Sequence, residues 1–191
     1  MMVLFWRFVC AAAVVQAQDA ITKHTEAEKI IREVTEKLRA APQKADLWHA
    51  RAKARMEMDD PLGAISDASE AVRLAPFEPD YRFTRASLLV AQARWAEVVA
   101  DATDGLPANP NRADLLLYPA QARRNMGKHE LALMDCNRAL GAGVTADALV
   151  ERAWVFAMKG DWAKTLEDAT NATKAKPNWM PAVLLQGVAR R

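Results

Sequence analysis

The chain has 191 residues, enough for one domain or a short repeat array, and half of them are apolar. Alanine makes up about a fifth, and glycine and aromatic residues are few, which favours an all-α fold because alanine has the highest helix propensity and lets helices pack closely. The 26 basic and 24 acidic residues are interleaved, leaving no basic stripe for nucleic acid, which is excluded as the main partner.

The N-terminus opens with Met1 to Gln18, in which Arg7 is the only charge and an apolar run extends from Phe8 to Val15. Val15-Gln16-Ala17 supplies the small-residue pattern read by signal peptidase, so residues 1–17 are expected to be a secretory signal cleaved after Ala17, giving a periplasmic or secreted protein. A retained membrane anchor, a mitochondrial presequence and a cytoplasmic start remain open alternatives. Cleavage would leave Cys136 as the one cysteine, expected to be a buried apolar side chain rather than half of a disulfide or a zinc ligand.

Thr25 to Ala41 follows as one amphipathic helix, with Ile30, Ile31, Val34 and Leu38 at helical spacing. It occupies residues 19–44 ahead of the first full repeat and is expected to cap the array.

A period then emerges. Pro42, Pro76 and Pro110 are each 34 residues apart, and Pro177 continues the series if one residue is lost at Gly141-Ala142-Gly143. Proline restricts its own backbone and that of the preceding residue, so these positions mark loops. Between them Ala52, Ala86, Ala120 and Ala153 share one position, and Asp67, Asp101, Asp135 and Asp168 another. Trp48, Leu116 and Leu149 share an apolar position at which Arg82 is the exception. Turn-compatible stretches at Asp59-Asp60-Pro61, Met126-Gly127-Lys128 and Lys159-Gly160-Asp161-Trp162 split each unit into two helices. The repeats are expected at 45–78, 79–112, 113–145 and 146–179. Residues 180–191 form a further helix, either a C-terminal cap or the opening of a fifth repeat, and its apolar character favours the latter.

These residues resemble the tetratricopeptide-repeat (TPR) family, whose unit is a 34-residue helix–turn–helix; the match covers about residues 45 to 177. The small residues Ala64, Ala71, Ala132, Ala139 and Ala172 and the closing prolines carry the resemblance. Arg55, Arg123 and Pro119 depart from it. The resemblance implies a right-handed α-solenoid whose first helices line a concave groove. Carried over position by position, that groove takes His49 and Lys53 from the first repeat, Phe83 and Ser87 from the second, Leu117, Gln121 and Arg124 from the third, and Val150 and Trp154 from the fourth. Met56, Val90 and Ala157 fall on groove positions too, but are expected in the core. A mixed apolar and basic lining would suit a protein or peptide with hydrophobic anchors and acidic groups.

The family also has a subgroup that clamps the C-terminal carboxylate of heat-shock chaperones. At the matching positions stand His49, Lys53, Thr84, Asp114 and Tyr118, or Phe83, Ser87, Tyr118, Asp147 and Glu151 one repeat on. Neither set makes the clamp, so no chaperone tail is expected as partner. Asp46, Asp80, Asp114 and Asp147 recur at helix starts and are expected to cap free amides and favour the helix dipole rather than bind metal. His24, His49 and His129 lie in separate elements, and no phosphate loop, metal cluster or nucleophile motif is present, so neither cofactor nor catalysis is expected.

Overall fold

The computed structural model describes residues 22–105, 116–143 and 145–190, with side chains 103–105 left aside. The predicted signal segment lies outside these residues. Every regular element described is helical. The helices are α1 (residues 22–40), α2 (Ala45–Glu57), α3 (Pro61–Leu74), α4 (Pro79–Ala91) and α5 (Trp95–Gly105), then α6 (Leu117–Asn125), α7 (His129–Gly141), α8 (Ala146–Met158), α9 (Trp162–Ala175) and α10 (Met180–Ala189). No helix among the described residues is long and apolar enough to cross a membrane. The chain divides into two compact parts, one ending at Thr84 and the other starting at Arg85.

In the first part α2 and α3 form a packed helical pair. Ala52, Ala64, Ala68 and Ala71 are fully buried, and Ile65 and Val72 fill the space that these small side chains leave. Ala27, Val34 and Leu38 bury one stripe of α1. In the second part α6 packs with α7 and α8 with α9, while α10 lies against both α8 and α9. Leu149, Val150, Ala153, Ala169, Ala172, Ala182 and Leu185 make one continuous core there, with Leu140 and Trp179 at its edge. Alanine at the helix–helix contacts is what lets the backbones approach.

The turn between the two helices of each repeat follows one design. Asp59, Ala93, Gly127 and Gly160 all have left-handed φ, at 54, 53, 72 and 76°. The next residue donates its amide five residues back: Asp60 to Arg55 O, Arg94 to Leu89 O, Lys128 to Arg123 O and Asp161 to Phe156 O, at 2.8–2.9 Å. This closing bond satisfies a carbonyl that the helix end leaves open. Glycine adopts the turn without strain at two of the four positions, whereas Ala93 holds it against its own Cβ.

Capping is placed differently from the expectation. Neither α2 nor α8 has a side-chain cap; their N-cap residues are Lys44 and Thr145, and Asp46 and Asp147 sit inside the first turn, where they face the dipole. The side-chain caps described belong to second helices, where Asp60 accepts from Gly63 N at 2.9 Å and Asp161 from Lys164 N at 3.2 Å. Asp114 lies outside the described residues.

A buried ion pair ties the two helices of each repeat together. Arg51 donates from Nε and Nη2 to both oxygens of Asp67, each at 2.7 Å, and Arg85 grips Asp101 in the same way, Nε to Oδ2 at 2.6 Å. Arg152 repeats it on Asp168 at 2.7 and 2.8 Å and adds a bond to Asn137. In the third repeat the arginine position is Pro119. Pro119 is the third residue of the described part of α6 and is buried. Arg123, one turn later, takes over and reaches Asp135 at 2.6 and 2.7 Å. Arg55 holds the same position in the first repeat and supports Asp67 at 3.1 Å. The two arginines that depart from the family pattern are thus partners of the recurring aspartates.

Candidate functional site

The residues expected to line a groove fall in both parts of the chain. In the first part, His49 Nε2 lies 2.9 Å from Thr84 Oγ1, and its ring packs on Tyr81 with centroids 4.6 Å apart. Burial lowers the imidazole pKa below its usual 6.5; Lys53 pushes the same way, against Asp80 and Glu78. Lys53 is exposed and Phe83 is half-buried. Met56, expected in the core, is 43% exposed near the end of α2.

Arg82, the exception at the apolar position, is explained by its bond. Its Nε donates to Pro76 O at 2.7 Å, matching Trp48, whose Nε1 donates to Pro42 O at 2.8 Å. A guanidinium and an indole therefore anchor the same loop carbonyl one repeat apart.

In the second part, Ser87, Leu117, Gln121 and Arg124 are half-buried. Val150 is buried in the core and offers almost no accessible surface. Trp154 is 39% exposed on α8, with Met158 one turn later at 53%. On α10, which packs on α8, Leu184 is 56% and Val188 53% exposed. Val188 stands 34 residues after Trp154, the spacing of the repeat. Met158, Leu184 and Val188, exposed apolar side chains on α8 and on α10, which packs against it, were not among the expected site residues. The spacing of apolar residues at i and i+4 in α10 is the sequence signal that points to the last two.

Arg124 does not stand free on this face. Its Nε donates to Glu151 Oε1 at 2.5 Å, joining α6 to α8, and both side chains are mostly buried, at 13% and 14% exposure. At the edges, Asp147 lies 3.9 Å from Lys176, and Lys159 is paired with Glu130. The basic lining expected from Arg124 is therefore cancelled where it arises.

Other chemistry-bearing groups are set in the framework. Burial pushes the Cys136 thiol up to about 12, with Glu151 and Asp135 acting in the same direction, so it stays protonated and inert. Burial also raises the Asp135 carboxyl above its ordinary value, against the pull of Arg123. No group of three or more His, Cys, Asp or Glu side chains is placed to hold a metal ion among the described residues.

No protein-family model and no curated protein matches the sequence. Solved structures do. YrrB, described as a TPR protein with an unusual peptide-binding site, is 16% identical, with 88% of each chain covered and a TM-score of 0.73. TTC0263, a thermophilic TPR protein of Thermus thermophilus, is 15% identical over 91% of this chain and 98% of its own, with a TM-score of 0.68. MamA of Desulfovibrio magneticus RS-1 is 12% identical over 84% and 96%, with a TM-score of 0.70. At such identities the likeness is one of fold, and it agrees with the period, the paired helices and the repeated turn. This chain has the all-α fold of the tetratricopeptide-repeat proteins.

Proposed function

We propose that the chain is a non-catalytic adaptor or scaffold that binds a partner protein or peptide on the faces of its first helices. The observation that carries this reading is the half-exposed Trp154 with Met158 beside it and Leu184 and Val188 on the neighbouring helix. Large apolar side chains left in contact with water over adjacent helices are characteristic of interaction surfaces. The peptide-binding site named for YrrB, a chain of similar fold, supports the same reading. Since the heat-shock clamp residues are missing, a chaperone tail is not the partner.

Residues 1–17 are proposed to direct export to the periplasm or the medium, on the strength of their apolar run and the Val15-Gln16-Ala17 site. Counted through Arg7, the apolar segment is just long enough for a second reading, a membrane-anchored accessory subunit that retains it. N-terminal sequencing separates them: Gln18 at the start supports export, and an intact Met1 in the membrane fraction supports the anchor.

The binding reading is tested by affinity capture from the native compartment, with Phe83→Ala and Trp154→Ala combined. A folded double variant is expected to lose the partner. Undiminished recovery overturns the first-helix surface as the binding face.

A further inference from the structure

We draw no further inference here: the strongest candidate, the surface patch of exposed apolar side chains Trp154 and Met158 on α8 with Leu184 and Val188 on α10, belongs to the site already described, and nothing in the structure shows what covers it.

Discussion

Ala93 is where a single residue carries the clearest cost. It adopts φ 53° at an exposed turn, at the position where two of the other repeats have glycine. A left-handed conformation costs a residue with a Cβ about 1–2 kcal/mol, part of which glycine returns as extra freedom in the unfolded chain. Ala93→Gly is therefore expected to stabilise the protein by roughly 0.5–1 kcal/mol, read as a higher denaturation midpoint at unchanged slope. Gly127→Ala should have the opposite effect.

His49 and Cys136 make predictions of a different kind. The folded-state pKa of His49 is lowered by burial and by Lys53, so the unfolded chain binds more protons near 6.5. Its contribution to stability is complete above that value and is lost as pH falls from 6.5 through the lower folded pKa. Urea unfolding of His49→Gln should show a shallower loss over this window than the unaltered chain. Cys136, with its thiol raised to about 12, should resist alkylation in the native state and react on unfolding, as followed by mass spectrometry of the Cys136 peptide.

At the scale of the element, the Arg–Asp pair explains how a degenerate repeat keeps its geometry. Removing one partner of a buried pair leaves the other charge unmatched, at up to about 3–5 kcal/mol, and less when part of the guanidinium is wet. Arg123→Leu should thus cost about 1–3 kcal/mol, because it strands Asp135. Pro119→Arg in the same chain restores the register of Arg85 and should recover a good part of the loss in thermal or urea unfolding. If it recovers nothing, the two positions are not interchangeable donors to one aspartate.

The aspartate column is plain in the sequence, whereas the arginine column that serves it is interrupted. Arg51, Arg85 and Arg152 recur 16 residues ahead of their aspartates, and the proline at 119 breaks that column. Only the packed hairpin places position 123 within reach of the same carboxylate. Similarly, Arg82 looks misplaced in an apolar column until its bond to the Pro76 carbonyl is seen.

Over the whole molecule, a repeat array is held by its neighbours, so damage at an end should remain local. Leu185 is almost fully buried against α8 and α9, and Leu185→Ala is expected to cost about 2–4 kcal/mol. Hydrogen exchange should show protection falling first in α8–α10, with α2 and α3 little affected. Uniform loss of protection across all helices would mean that the chain unfolds as one cooperative unit.

The sequence by itself determined the period, the helix pairs and the turns, because prolines, small residues and turn formers act through local backbone geometry that needs no partner. It placed Trp154 on a groove position but left groove and core equally open there. The tertiary structure alone decided which charges are spent inside the molecule and which face outward. Val150 went to the core although expected in the groove, and Met56 to the surface although expected in the core, because helix rotation is set by packing. Arg124 is held by Glu151 because a residue 27 positions away in sequence stands 2.5 Å away in space, and Coulomb energy depends on spatial separation and the surrounding medium, not on distance along the chain.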